Sequence, residues 1–335
     1  MKRTQFDFLL NPQIGVLVLI LIMNWVLFPG FFNLSWQDGR LFGSMIDVLN
    51  RGAPVAILAV GMSAVIATRG VDLSVGAVMA VAGAVAATEA LQGYPFIIIL
   101  ASTLIVGILC GFWNGLLVAY LGVQPFVATL VFMVAGRGLA QLITKGSIVT
   151  FSNPSLEYVG TGSLLGLPMA FCIAAGLAVA AHLVFRKTSI GLFVEAIGIN
   201  QSASNYAGLK SQRVLLAVYM FSGFCASIAG LIATADIRGA DANNAGLWLE
   251  LDAILAVVIG GTSLLGGRFS IFMSVIGAII IQAMNTGILI SGFKPEINLL
   301  VKAGVILLIL ILQSGELRAL IARKLYSSKN TTVAK

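Results

Sequence analysis

The polar residues of this 335-residue sequence are not spaced for covalent chemistry. It holds no Walker A pattern, no HExxH pair, no nucleophile elbow and no two carboxylates within one apolar run, so ATPase, metalloprotease and serine hydrolase sites lack their residues. What it offers is single polar groups inside apolar runs and two Gly-rich interruptions. Asp72 and Ser74 lie in Gly70-Val71-Asp72-Leu73-Ser74-Val75-Gly76, where either side chain can accept a backbone N–H at a helix start and the glycines permit a tight or broken backbone. Thr262 and Ser263 lie in a second interruption, Gly260 to Arg268. Each reads either as a simple turn or as a broken helix whose free ends line a pathway. Asn114, Asn285 and Arg137 complete the set of pathway and gating candidates. A cation such as Arg137 costs at least about 2.5 kcal/mol at the centre of a membrane helix unless paired or facing water, so it serves either the structure or the pathway. Lys302 sits near the end of its run and can snorkel. His182 stands alone, and Cys110, Cys172 and Cys225 lie in apolar runs, so packing is the reading for all four.

These groups need elements to hold them, and the composition says which. The sequence is 59% hydrophobic and 10% charged, with mean hydropathy +1.02, against roughly 25% charged in soluble domains. Its apolar runs match helices crossing a hydrocarbon core of about 30 Å and lack the alternation of barrel strands. The predicted fold is an all-α polytopic membrane bundle of about ten transmembrane helices, at 14–32, 53–68, 75–91, 96–121, 126–144, 168–185, 214–235, 251–265, 271–290 and 297–312. An even count puts both termini on one side. Placing that side in the cytoplasm puts Lys2, Arg3, Arg69, Arg186, Lys187, Lys210, Arg213, Arg268 and the C-terminal basic residues inside, as the positive-inside rule requires. The net charge of +7 is thereby explained by topology, and nucleic acid is excluded as a partner. The domains expected are a cytoplasmic tail at 1–13, a transmembrane domain at 14–312 and a second tail at 313–335. Gly107, Gly111 and Gly115 form a four-residue stripe, a surface for close helix packing. Asn114-Gly115 with Gly122 and Pro125 is echoed by Asn285 with Gly287, Gly292 and Pro295, the trace expected of an inverted repeat.

The longest polar stretch, Arg186 to Arg213, exceeds what a turn between spans needs, and the charge rule puts it in the cytoplasm. Asn200 is a good N-cap and Gly208 a good C-terminal stop, bracketing a short helix from Gln201 to Ala207. The segment is therefore read as a docking surface, with an amphipathic helix on the lipid surface as the other reading.

Gly191, Glu195, Ala196, Ile197, Gly198, Asn200, Ala203 and Gly208 form a pattern that resembles the cytoplasmic coupling region of bacterial ABC sugar-importer permeases. Gly70 to Gly76, Asn114 to Ala119, Pro125 to Leu130, Arg137 to Ala140 and Gly260 to Gly267 match further motifs of that family, in its order and over nearly the whole chain. The resemblance implies a multi-pass subunit of the bacterial inner membrane that forms the pathway for a monosaccharide, galactofuranose or a related sugar. It implies as partners a second permease subunit (a hetero- or homodimer), a cytoplasmic ABC ATPase, a periplasmic sugar-binding protein and membrane lipid. This chain would bind no cofactor, since ATP and Mg belong to the partner ATPase. The sugar would enter an outer mouth formed partly by the 145–168 and 236–250 loops. A secondary sugar transporter coupled to ions is the main alternative, and Asp72 and Asp252 are its only suitable carboxylates. A scaffold or receptor that transports nothing is the third.

Overall fold

In a bilayer the backbone must satisfy its own N–H and C=O groups, so the apolar runs can only close as helices. A computed structural model describes residues 12–37, 39–292, 299–301 and 303–304, and the chain divides into two compact units, Met1–Thr286 and Gly287–Lys335. The helices are α1 (Pro12–Leu27), α2 (Ser44–Ala67), α3 (Val75–Leu91), α4 (Phe96–Ala119), α5 (Pro125–Ile143), α6 (Pro154–Thr161), α7 (Met169–Lys187), α8 (Ser189–Ile199), α9 (Gln201–Tyr206), α10 (Ser211–Ile237), α11 (Leu249–Ile259) and α12 (Ile271–Ile290). Three two-residue or three-residue strand pairs join the loops: β1 (Ser35–Gln37) with β2 (Arg40–Phe42), β3 (Val149–Thr150) with β6 (Gly239–Ala240), and β4 (Ser163–Leu164) with β5 (Leu167–Pro168), all antiparallel.

Six helices among the described residues are long and apolar enough to cross a membrane: α2, α4, α5, α7, α10 and α12. The chain is a polytopic helical membrane protein. Several predicted spans differ in extent. The second begins at Ser44, not at 53, because Asn50-Arg51-Gly52 interrupts the hydropathy without interrupting the helix, which carries Pro54 inside it. The first ends at Leu27 and gives way to a turn and the β1–β2 hairpin. The eighth is helical only over the 11 residues of α11, about 16 Å of rise, because Gly260-Gly261 ends it and Gly261 takes a positive φ of 86°. Most of the tenth, with Lys302, Pro295 and the tails at 1–11 and 305–335, lies outside the described residues.

The core is built from α2, α3, α4 and α10. Buried alanines and glycines fill α3, whose Met79 backbone meets Gly230 of α10 and whose Gly83 meets Thr234. The Gly107, Gly111 and Gly115 stripe of α4 lies against Gly223, Ser227, Tyr219 and Leu216 of α10. Lipid tails are as apolar as the side chains, so this backbone approach supplies van der Waals contact that a larger residue would forfeit. A Cβ at Gly111 would meet the Met220 Cα at 2.9 Å and the Tyr219 carbonyl carbon at 3.0 Å. We therefore expect Gly111→Val to part α4 from α10 and lower the melting temperature in detergent by several degrees, whereas Gly138→Val, with nothing within 4 Å of its Cβ, leaves it unchanged.

Candidate functional site

The residues singled out by sequence fall into three groups in space. The first surrounds α8 and α9. Thr188 caps α8 by accepting from the Ile190 N–H at 3.3 Å, and Asn200 caps α9 by accepting from the Ala203 N–H at 3.0 Å. Gly208, with φ of 88°, turns the chain out of α9. Gly191 packs on the Phe185 carbonyl, and Gly198 on Ala67 at the end of α2. Glu195 pairs with Arg186 at 3.2 Å. Ala196 is half-buried, and Ala203 is exposed beside its cap. On the free side stand Leu192 and Ile199, and Tyr206 is 94% exposed.

The second Gly-rich interruption belongs to this same group. The Gly267 N–H donates to the Ala67 carbonyl at 2.9 Å. Arg69, held at a positive φ of 65°, donates from Nε to the Leu265 carbonyl at 2.9 Å and from Nη2 to the Ile199 carbonyl at 2.7 Å. A guanidinium on the last carbonyls of α8 complements the negative end of its dipole. Arg186 donates to the Phe269 carbonyl and lies over the Phe269 ring, 5.7 Å from its centroid. Thr262 is buried, and the exposed Ser263 accepts from the Leu265 N–H at 3.1 Å. The 260–269 segment thus forms a bracket that holds α8 to the end of α2. In the sequence Arg69 and Arg186 read only as topology charges, and nothing in their spacing marks them as the bracket's fasteners.

The second group is buried between α3, α4 and α10. Asp72 Oδ1 accepts from the Ser74 N–H at 3.0 Å and from Ser74 Oγ at 2.5 Å, and its Oδ2 accepts from Ser222 Oγ at 2.7 Å. Asn114 Nδ2 donates to Ser74 Oγ at 2.7 Å. Asp72 is 1% exposed, and Ser74 and Asn114 are fully buried. The network fixes where α3 restarts after the 68–74 break. Ser222, which completes it, lies in an apolar run where Ser reads as one more small packing residue.

The third group lies at the opposite end of α10. Arg137 Nη1 donates to the Ala242 carbonyl at 3.0 Å and to the Ala245 carbonyl at 2.5 Å, so its depth cost is met by loop backbone. Asp241 is half-buried in this loop, and its carboxyl is held below the usual range first by the Asn244 amide, then by the backbone N–H groups of Asn243 and Asn244 and by Arg137. Gly246, at φ 70°, brings the loop onto Gly76 of α3. The β3–β6 pair and the Arg238–Glu157 ion pair at 3.2 Å join the 145–168 and 236–250 loops. Asn285 is buried in α12, apart from the Asp72 network, and its Oδ1 has no hydrogen-bond partner. Among the described residues no group of His, Cys, Asp and Glu could hold a metal.

Residues 44–310 match the family described as branched-chain amino acid transport system / permease component. The chain is 59% identical to the galactofuranose transporter permease protein YtfT of Escherichia coli (strain K12), over 92% of this chain and 91% of that protein. It is 42% identical to the fructose import permease protein FruF of Bifidobacterium longum, over 93% and 90%. It is 36% identical to the ribose import permease protein RbsC of Escherichia coli (strain K12), over 90% and 92%. No solved structure gives a significant match.

Proposed function

The chain belongs to the branched-chain amino acid transport system / permease component family, and from that premise we propose that it forms the pathway for a monosaccharide in an ABC importer. Its place is the bacterial inner membrane, which it crosses several times. The sugar is galactofuranose or a close relative, a reading supported by the similarity to a galactofuranose permease. The partners are a second permease subunit, a cytoplasmic ATPase that holds ATP and Mg, and a periplasmic sugar-binding protein. Ten spans with both termini in the cytoplasm, arranged as an inverted repeat, complete the topology. In this topology the α8–α9 end faces the cytoplasm and the β3–β6 end faces the periplasm.

One observation carries the reading: α8 and α9 are too short to span, are capped, and are clamped by the 260–269 bracket to the end of α2. A push on α8 therefore moves α2. Gly191, Glu195, Ala196, Gly198, Asn200, Ala203 and Gly208 shape and seat this input lever, while Leu192, Ile199 and Tyr206 meet the ATPase. Asp72, Ser74 and Asn114 support the pathway from behind by fixing the start of α3, and Arg137 does so by holding the 242–245 backbone. Thr262 and Ser263 serve the bracket, and Asn285 remains a pathway candidate. The three hydrogen bonds that Asp72 accepts weigh against the ion-coupled alternative, which needs a carboxylate free to load and release an ion.

The test is reconstitution in proteoliposomes with the ATPase, second permease and binding protein. Sugar uptake that requires ATP and all four components is the expected result. Uptake driven by a proton or sodium gradient without the ATPase would overturn it.

A further inference from the structure

A groove of about 600 Å³ opens where α4 ends, beside α9 and the start of α10. Its wall includes Ala119 and Tyr120 at the end of α4, Gln201 and Asn205 of α9, and Lys210 and Arg213 at the start of α10. Ala119 ties this wall to the packed interior, in one buried cluster with Ile197 of α8 and Leu215 of α10. Lys210 and Arg213 are exposed, and neither joins an ion pair among the described residues. Among those residues no carboxylate lines the groove. The first turn of α10 has no acidic residue and no side-chain cap, so the positive end of this 27-residue helix adds to the two cations uncompensated. Ser211 in that turn is 1% exposed and lines the groove, and its Oγ has no hydrogen-bond partner. We propose that the groove binds the phosphate of an anionic membrane phospholipid whose acyl chains lie along α4. This goes beyond the transport reading and does not depend on the sugar.

Charge selects an anion, and the neighbouring surface selects a lipid. Ile105, Leu109, Phe112 and Trp113 are exposed along one side of α4, at helical spacing and opposite the Gly107, Gly111 and Gly115 stripe that meets α10. That apolar track leads to the exposed Tyr120 and Leu121, where the groove begins. A soluble anion would use the cations and leave the track idle, whereas a phospholipid uses both at once. Basic pockets between membrane helices on the cytoplasmic side suit anionic headgroups, and the proposed topology puts this end of α4 in the cytoplasm. Exposed cations are in place there, because the headgroup layer is where such a phosphate lies. The groups divide the work by their chemistry. The Arg213 guanidinium can hold two phosphate oxygens at once, and Lys210 supplies a point charge. Gln201 and Asn205 stand one turn apart on α9, so their amides face the same side and can bond the glycerol part of the headgroup. A lipid held this way joins α9 to the ends of α4 and α10.

The test is lipid binding to the purified full-length chain, followed by native mass spectrometry with phosphatidylglycerol and phosphatidylcholine as probes. Phosphatidylglycerol should bind the wild type more tightly than phosphatidylcholine. Lys210→Gln and Arg213→Gln should each weaken phosphatidylglycerol about fivefold and together about twenty-five-fold, the effect of one and two cations at an anionic headgroup. Phosphatidylcholine should bind all of them alike. Lys187→Gln, which removes an exposed cation outside the groove at the same end of the bundle, should bind phosphatidylglycerol as the wild type does. Gln201→Glu places a negative charge in the groove without removing a cation, and it should also weaken phosphatidylglycerol. Melting temperatures without added lipid should match the wild type in all variants, which separates lost binding from lost fold. Inorganic phosphate in excess should leave the lipid bound, since it has no chains to rest on α4. Displacement by inorganic phosphate would mark a site for a free anion and overturn the lipid assignment. Wild-type phosphatidylglycerol binding in the double variant, or an equal loss in Lys187→Gln, would overturn the site itself and leave Lys210 and Arg213 to a protein partner.

Discussion

Gly198→Val should cut coupled transport at least about tenfold while leaving the protein in the membrane. A Cβ at this position would overlap the Ala67 carbonyl and stand 2.7 Å from the Gly267 nitrogen, the two atoms whose hydrogen bond ties the bracket to α2. Both obstacles are backbone and cannot swing aside. The valine must displace α8, break the Gly267 to Ala67 bond, or do both, and Arg69 then loses its reach to the Ile199 carbonyl. The spans themselves are untouched, so insertion and pairing with the second permease should persist. Uptake and sugar-stimulated ATPase activity are expected to fall by at least about tenfold, the effect of losing little more than one hydrogen bond from the coupling path. Membrane levels similar to wild type with normal uptake would show that α8 carries no input. Glu195→Ala, which frees Arg186 only on its exposed side, should give a smaller loss.

Asp72→Ala is the change with the largest expected effect on stability. It strips the acceptor from the Ser74 N–H, Ser74 Oγ and Ser222 Oγ at a site where Asp72 is 1% exposed, so water cannot replace it. Each stranded donor costs about 1–3 kcal/mol, so stranding three of them should cost roughly 3 kcal/mol or more. α3 would lose the anchor of its first turn against α10. We expect a melting temperature in detergent many degrees below wild type and early proteolysis in the 68–74 segment. Asp72→Asn keeps the volume and one acceptor oxygen, so it should lose about half as much. An unchanged melting temperature in Asp72→Ala would mean that the network contributes nothing to the fold.

Both changes fall on positions that the sequence marks, yet the reason for each is spatial. Gly198 stands out in a motif, but nothing local says that its neighbour is Ala67, 131 positions away in the chain. Asp72 stands out as a carboxylate between apolar runs, and the pattern left open whether it caps a turn or faces a pathway. Ser222, on a different helix, decides how it is held. Hydropathy likewise separated most helices well, and failed where polarity and backbone disagree. Asn50-Arg51-Gly52 is polar and helical, because polar side chains on the surface of α2 leave its backbone hydrogen bonds intact. The stretch at 260–267 is apolar enough to prolong a span, yet consecutive glycines end the helix and leave a loop.

The sequence by itself determined that the chain is a helical membrane protein, that its polar segment at 186–213 stands apart, and that α4 packs through glycines. These properties depend on residue type and local spacing, which a bilayer reads one segment at a time. Only the tertiary structure decided that the two Gly-rich interruptions differ in role. One restarts α3 around a buried carboxylate, and the other brackets α8. It also decided that Arg137 serves loop carbonyls and that Ser222 completes the Asp72 network. Those groupings join residues far apart in sequence, and a side chain's partner across the bundle depends on helix rotation and crossing, which no local pattern encodes.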